Sequence, residues 1–188
     1  MAILNKMIDP SKKFIFIDFD GTLVKTISGY TMQTGIVDSQ PIWNTWNSLR
    51  DWAKARIDKK QEGYIMIVSN QGGIEARKGS SEHFLKSKFE YYKDGLQEYL
   101  DKKMTYIKTS YIYCPSNDKS NPNRKPNAGM LSRSLVRFGF DPATCNKAEM
   151  VMIGDASGIN YGGRRDFSDS DAKAAMNFGI EYIDVASV

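Results

Sequence analysis

The stretch Phe14-Ile-Phe-Ile17, followed directly by Asp18-Phe-Asp20-Gly21-Thr22, decides how the rest of this sequence is interpreted. Four consecutive apolar residues, all β-branched or aromatic, are typical of a short strand buried on both faces of a parallel sheet. The two carboxylates after it are two residues apart, so an extended backbone places them on the same side. Held close together they would repel, and a hard divalent cation such as Mg²⁺ would relieve the repulsion. An ordinary acidic turn at a strand end uses the same residue types, so this motif alone leaves both interpretations open.

The same kind of apolar run recurs along the chain, separated by stretches of helical periodicity. The further runs are Tyr64-Ile-Met-Ile-Val68, Ser110-Tyr-Ile-Tyr113, Met150-Val-Met-Ile153 and Ile180-Glu-Tyr-Ile183. Apolar residues at three- and four-residue steps predict helices between them, beginning with one whose aromatic residues Trp43, Trp46 and Trp52 are expected in the core. This alternation predicts an α/β fold, an open, doubly wound, mainly parallel Rossmann-like sheet with helices on both faces. We expect one domain over residues 1–188, without a substantial cap domain, because the segment 24–62 is short.

Composition excludes several classes of protein. The chain has 188 residues, 26 Lys+Arg against 22 Asp+Glu, a net charge of +4 and 41% hydrophobic residues, which is unlike a disordered protein. The apolar runs are far too short to cross a bilayer, and no secretion signal opens the chain. We therefore expect an intracellular, cytoplasmic protein (nuclear if the source is eukaryotic) that does not bind membranes. The mildly basic charge suits an anionic substrate without identifying one.

Polar residues with complementary chemistry follow the other predicted strands. Ser69, Asn70 and Gln71 lead into a Gly-rich turn that can hold phosphate oxygens, although a plain turn and helix cap would look the same. Arg124 and Lys125 could neutralise phosphate charge, although a single basic pair is usually a solvated surface feature.

Carboxylates follow the fourth strand as well. Asp155 comes where a metal ligand from a neighbouring strand is expected, and Asp169-Ser-Asp171 further on could act there or cap the last helix. Each of these groups is ambiguous alone. All of them fall at strand ends or helix starts on one edge of the predicted sheet, where open α/β sheets bind their ligands.

With these motifs in this order, the sequence resembles the haloacid dehalogenase superfamily of phosphotransferases, over nearly the whole chain. The shared motifs are Asp18-x-Asp20-Gly21-Thr22, Ser69-Asn70-Gln71, Lys125 and Gly154-Asp155. A narrower resemblance to the 3′-phosphatase domain of polynucleotide kinase/phosphatase is carried by Arg124-Lys-Pro-x-x-Gly-Met130 and Asp166-Phe-Ser-x-x-Asp171. No Gly-x-x-x-x-Gly-Lys-[Ser/Thr] motif is present, so we expect a stand-alone phosphatase without 5′-kinase activity.

The resemblance implies a role for each motif residue. Asp18 would be the nucleophile and Asp20 the general acid and base, with Ser69 and Lys125 binding the phosphate oxygens. Mg²⁺ would be held by Asp18, by Asp155 and by the backbone carbonyl of Asp20. Asp171 would contact and orient Asp155 or Lys125 rather than bind the metal. The implied substrate-binding residues are Gly21, Thr22, Asn70, Gln71, Arg124 and Arg164.

The implied partner is a nucleic-acid 3′ end, DNA in preference to RNA, whose terminal base could stack on Tyr30, Met32 or Trp43, although these residues could equally pack within their loop. We expect a monomer. A related branch of histidinol and heptose-bisphosphate phosphatases often carries a zinc loop, but here only Cys114 lies near the Arg-Lys-Pro motif, so we expect no zinc. A small-molecule phosphatase of that branch and an inactive module that binds nucleic-acid ends remain the alternatives.

Overall fold

A computed structural model of the protein describes residues 7–29, 36–72, 81–159 and 168–188. Its centre is a five-stranded sheet formed by β1 (Phe14–Ile17), β4 (Gly63–Asn70), β5 (Ile107–Cys114), β6 (Met150–Gly154) and β7 (Glu181–Asp184). The strand order is β5-β4-β1-β6-β7, and every neighbouring pair is parallel. The predicted fold class is therefore confirmed.

Helices cover both faces of the sheet because the side chains of its strands alternate between two cores. Ile15 and Ile17 point into a core shared with the first two helices, whereas Phe14 and Phe16 point into a core shared with the last two. The helices are α1 (Trp43–Asp58), α2 (Ser81–Asp101), α3 (Gly129–Arg137) and α4 (Ser170–Phe178). Helices on both faces explain why the strand sequences are continuously apolar rather than alternating.

The strand order sets the position of the site. β1 lies at the centre, with Ile17 opposite Ile67 of β4 on one side and Ile153 of β6 on the other. The chain moves outward from β1 to β4 and β5, and then crosses back to β6 on the other side. A crevice opens at the carboxyl ends of the strands where the direction of winding reverses, and the residues after β1, β4 and β6 all meet there.

Two features differ from the sequence prediction. A small antiparallel hairpin, β2 (Val24–Thr26) paired with β3 (Ser39–Pro41), follows the first motif and was not predicted. Its strands are too short and too polar to show a periodicity. The prediction of a core position for Trp43 is wrong, since this side chain is 56% exposed at the start of α1, whereas Trp46 and Trp52 are buried.

Several predicted positions lie outside the described residues, namely Tyr30, Met32, Arg164 and the Asp166-Phe167 part of the last motif. No described helix is both long and apolar enough to cross a membrane.

Candidate active site

Asp18 is the first residue after β1, and its carboxylate lies at the bottom of the crevice. Its backbone N–H donates to Ile153 O at 2.9 Å, so β6 fixes the residue from one side. Its Oδ1 accepts a 2.5 Å hydrogen bond from Lys125 Nζ. Lys125 Nζ also contacts Asp171 Oδ1 at 2.7 Å and donates to Val68 O at 3.0 Å. The Lys125 ammonium thus forms two hydrogen bonds and an ion pair, and these contacts join residues from distant parts of the chain.

Burial and charge perturb both members of this pair. Burial raises the pKa of Asp18 well above its ordinary value, and the charges of Asp171 and Asp155 add to the rise while Lys125 opposes it. Burial alone would lower the pKa of Lys125, but the carboxylates of Asp171 and Asp18 outweigh it and raise that pKa. Lys125 therefore stays a cation, and Asp18 is a carboxylate whose charged form needs more positive charge nearby.

Lys125 is carried by the polar loop between β5 and α3, and Asn70 holds that loop in place. The Asn70 side-chain amide donates to Lys125 O at 2.9 Å, and its Oδ1 accepts from Lys125 N at 2.9 Å. This pair of bonds fixes the backbone of the lysine to the end of β4. The structure thus places Asn70 as the residue that positions Lys125.

Asp155 and Asp171 complete a carboxylate cluster with Asp18. One carboxylate oxygen from each residue lies within 4.8 Å of the others. Gly21 has a backbone φ of +85°, and a Cβ built there would lie 2.1 Å from Asp155 Oδ2. Gly154 is equally restricted, because a Cβ there would lie 2.2 Å from Asp171 Oδ2. Both glycines therefore give the carboxylates the space that they occupy.

Within the Asp169-Ser-Asp171 group, the structure places Asp171 in the carboxylate cluster. Asp171 is buried and faces Lys125, as expected for a supporting residue. Asp169 occupies the N-cap position of α4, but its side chain makes no capping hydrogen bond and instead pairs with Lys173 at 2.7 Å. Neither side chain is a helix cap, so that alternative is wrong for both.

Asp20 points away from this cluster and has its own partners. Its Oδ2 accepts a 2.6 Å hydrogen bond from Gln71 Nε2, which also donates to Ser69 Oγ at 2.8 Å. Its Oδ1 accepts from Lys88 Nζ at 3.1 Å. The repulsion expected between Asp18 and Asp20 is thus reduced by two separate ammonium groups.

Lys88 is the residue that the sequence analysis missed. It lies on α2 three residues after Leu85 and four before Tyr92, both buried, so the helical spacing already placed a lysine on the apolar face. A lysine at a core-facing position needs a charged partner. That was the available signal, although the sequence could not identify Asp20 as the partner.

Two further predicted residues, Thr22 and Arg124, lie outside the carboxylate and lysine cluster. Thr22 is completely buried, and its hydroxyl has no hydrogen-bond partner within the described ranges. Arg124 donates from Nη1 to Ser116 O at 2.7 Å, so its guanidinium is held by its own loop beside Gly72.

The donor set fits a hard divalent cation. Within the described part of the chain, Asp18, Asp155 and Asp171 bring three carboxylates against one ammonium, that of Lys125. Carboxylate oxygens are the ligands that Mg²⁺ takes in proteins. The excess negative charge, together with the raised pKa of Asp18, is what a bound dication would offset.

The sequence matches one family model over most of its length. Residues 13–184 match the family model described as polynucleotide kinase 3 phosphatase. A bifunctional polynucleotide phosphatase/kinase of Schizosaccharomyces pombe is 29% identical over 174 residues, which cover 92% of this chain and 36% of the relative. An uncharacterized 20.8 kDa protein of Autographa californica nuclear polyhedrosis virus is 34% identical over 83 residues, 43% of this chain and 42% of that protein.

The chain thus spans about a third of the length of the yeast relative. The family match, in contrast, begins at the residue before β1 and ends at the last residue of β7, so it includes every strand of the central sheet and every residue of the carboxylate and lysine cluster. The protein therefore belongs to the polynucleotide kinase 3 phosphatase family.

Proposed function

We propose that this protein is a Mg²⁺-dependent phosphatase that removes the 3′-phosphate from nucleic-acid ends and leaves a 3′-hydroxyl. The observation that carries the proposal is the pair Asp18 and Asp20, with the first held by Lys125 in a carboxylate cluster and the second held outside it by Gln71 and Lys88. Two carboxylates in different surroundings suit two different chemical roles. Family membership and the polynucleotide phosphatase/kinase relative support the substrate class.

In the proposed reaction Asp18 attacks the phosphorus atom. A bond forms between its carboxylate oxygen and phosphorus, while the bond from phosphorus to the 3′-oxygen breaks. Asp20 donates a proton to that oxygen, because an alkoxide is a poor leaving group near neutral pH; such positioned proton transfer contributes roughly 10²–10⁴-fold. Water then attacks the phosphorus of the aspartyl-phosphate, Asp20 takes the proton from that water, and Asp18 is released with inorganic phosphate.

The surrounding residues assist by charge and position. Lys125 holds Asp18 and can stabilise charge on the phosphoryl group, and the Ser69 hydroxyl lies beside Asp20 through their shared partner Gln71. Asp18 and Asp155, with the backbone carbonyl of Asp20, would hold Mg²⁺, and Asp171 would support Lys125. The metal would supply positive charge to offset the phosphate and the carboxylates.

The test compares substrates under one set of conditions. The protein is incubated with Mg²⁺ and a DNA oligonucleotide carrying a 3′-phosphate, with parallel reactions on a 3′-phosphorylated RNA, a 5′-phosphorylated DNA, a 3′-mononucleotide, histidinol phosphate and a heptose bisphosphate. We expect the highest kcat/KM for the 3′-phosphorylated DNA, and no turnover by Asp18→Asn or in excess EDTA.

Other outcomes would point elsewhere. Equal or faster turnover of a small phosphate would assign the protein to a metabolic reaction. Binding of the oligonucleotide without turnover of any substrate would instead indicate a module that recognises nucleic-acid ends. Near-normal activity of Asp18→Asn would contradict the proposed nucleophile.

A further inference from the structure

Lys88 is a buried cation at the site, and no sequence motif assigns a role to this residue. Its side chain is 5% exposed, and its ammonium lies 3.1 Å from Asp20 Oδ1. The ammonium also lies 4.7 Å from the centre of the Phe19 ring. Lys88 therefore fills the space between α2 and the loop that follows β1.

The packing of α2 fixes where the Lys88 side chain can go. Phe19 is fully buried, and its ring packs against Phe89 at 4.5 Å and Tyr92 at 5.5 Å, both on α2. The first of these partners is the neighbour of Lys88 along the helix. This aromatic contact thus sets the distance between the helix and the loop. The backbone of Lys88 is therefore held at a fixed distance from the Asp20 carboxylate.

Such an ion pair is a poor source of stability. Burial lowers the pKa of Lys88, and the charge of Asp20 opposes that change. Removing an ammonium from water is costly, and attraction to a carboxylate that is 41% exposed offsets only part of that cost. An interaction that adds little stability but contacts a residue of the site is better explained by its effect on that residue.

The effect of Lys88 on Asp20 is geometric. One carboxylate oxygen of Asp20 is held by Lys88 and the other by Gln71, so rotation of the carboxylate would break both contacts. The Asp20 side chain is nevertheless 41% exposed, so these two contacts leave part of it accessible from solvent. Proton transfer needs the donor within about 2.6–3.2 Å of the receiving atom, which such a fixed orientation favours.

We propose that Lys88 is a positioning residue that holds the Asp20 carboxylate in the orientation needed to protonate the leaving oxygen of an alkyl phosphate. This inference rests on the proposed phosphatase function. It predicts that loss of Lys88 matters most for substrates whose leaving group needs a proton. A 3′-phosphate leaves from a sugar alkoxide, whereas p-nitrophenyl phosphate leaves as a stable phenolate that needs little protonation.

The experiment measures both substrates with Lys88→Met, which retains much of the side-chain volume but lacks the charge. We expect the ratio of kcat/KM for a 3′-phosphorylated oligonucleotide to that for p-nitrophenyl phosphate to fall about 10–100-fold relative to wild type. For the oligonucleotide the loss should appear in kcat, with KM changed less than about twofold, because a residue that holds the acid adds no ground-state binding. Lys88→Arg, which keeps a cationic donor, should recover part of the ratio.

The matched control is Lys93→Met on the same helix. Lys93 forms ion pairs at the surface with Glu90 and Asp94. Its replacement therefore removes a lysine of the same helix whose ion pairs do not involve the site residues. Its substrate ratio should equal that of wild type.

Equal losses on both substrates with Lys88→Met, or a loss confined to KM, would overturn the inference. A thermal melt of each variant checks that it is folded, and should one variant fail to fold, the other decides the result. A wild-type protein that leaves 3′-phosphates intact would instead refute the proposed function, and the inference with it.

Discussion

Gly21 lies directly beside the Asp155 carboxylate of the cluster. Its backbone φ of +85° is costly for any residue with a Cβ, and the space where that Cβ would lie is filled by the Asp155 carboxylate. One atom at this position therefore decides whether the residues after β1 and β6 can share a site.

We predict that Gly21→Ala lowers kcat/KM by at least about tenfold, because the new methyl group must displace Asp155. Gly139→Ala is the matched control, since Gly139 has nearly the same φ of +84° but nothing within 4 Å of a Cβ. Both variants should lose about 1–2 kcal/mol of stability from backbone strain. Steady-state kinetics and thermal melts separate the two effects, and equal activities for the two variants would contradict the prediction.

The carboxylate cluster leads to a second prediction at the residue scale. Added Mg²⁺ should raise the melting temperature of wild type, by an amount equivalent to about 2.7 kcal/mol at one hundred times the dissociation constant. In Asp155→Asn, which removes one charged oxygen ligand, the same Mg²⁺ concentration should give a much smaller shift. Asp51→Asn, which changes an exposed aspartate on α1, serves as the control. Identical shifts in all three proteins would exclude Asp155 from the metal site.

At the scale of elements, the junction between α2 and β5 holds the helix that carries Lys88. Asp101, the last residue of α2, accepts hydrogen bonds from Tyr106 N at 2.7 Å and Ile107 N at 3.0 Å with the same oxygen. Burial alone would raise the pKa of Asp101, but the backbone N–H groups of Ile107 and Tyr106 outweigh it and lower that pKa. The charged carboxylate is therefore the form that holds the junction together.

Asp101→Ala should lower the free energy of unfolding by about 1–3 kcal/mol at neutral pH, because two backbone donors lose a charged acceptor. A carboxyl whose folded pKa is lowered stabilises the protein above its unfolded pKa, which is near the ordinary value of 3.8. That contribution is lost as the pH falls through the folded pKa. The difference between wild type and variant should therefore shrink below about pH 4.

Denaturant titrations at a series of pH values measure this difference. Asp58→Ala, at the exposed end of α1, is the control and should stay within about 0.5 kcal/mol of wild type throughout. A destabilisation by Asp101→Ala that is independent of pH would show that the carboxylate charge is not what stabilises the junction.

The elements also show where sequence patterns succeed. β1 was predicted with its observed bounds because its residues are continuously apolar. β5 begins three residues before its predicted start, since Lys108 and other polar residues of this edge strand interrupt the apolar run. The β2–β3 hairpin was missed because its pairing depends on contact between two three-residue segments, not on a pattern within either.

At the scale of the whole molecule, the net charge of +4 bears on the proposed polymeric substrate. If the protein contacts phosphates beyond the terminal one, KM for a single-stranded 3′-phosphorylated oligonucleotide should rise with salt. For two neutralised phosphates, the rise between 50 and 200 mM salt is about sevenfold. Kinetics on p-nitrophenyl phosphate at the same salt concentrations provide the control, and an equal salt effect on both substrates would exclude contacts with the strand.

The sequence by itself determined the alternation of strands and helices, the family resemblance, and the identities of Asp18, Asp20, Ser69, Lys125 and Asp155 as candidates. It could do so because burial imposes a local periodicity on a strand or a helix. Parallel strands also bring their carboxyl ends to one edge of the sheet, so the residues that follow each apolar run were the candidates for the site.

Only the tertiary structure decided which charge meets which. Lys125 contacts Asp18 across 107 residues of sequence, and Lys88 contacts Asp20 across 68. The Asp20 carboxylate is held by Gln71 and Lys88, two residues that its own sequence motif does not contain. Helical periodicity is a signal that could have placed Lys88 on a buried face, but it cannot identify the partner of that lysine. The partner of a buried charge is set by the order of strands in the sheet and by the packing of distant elements.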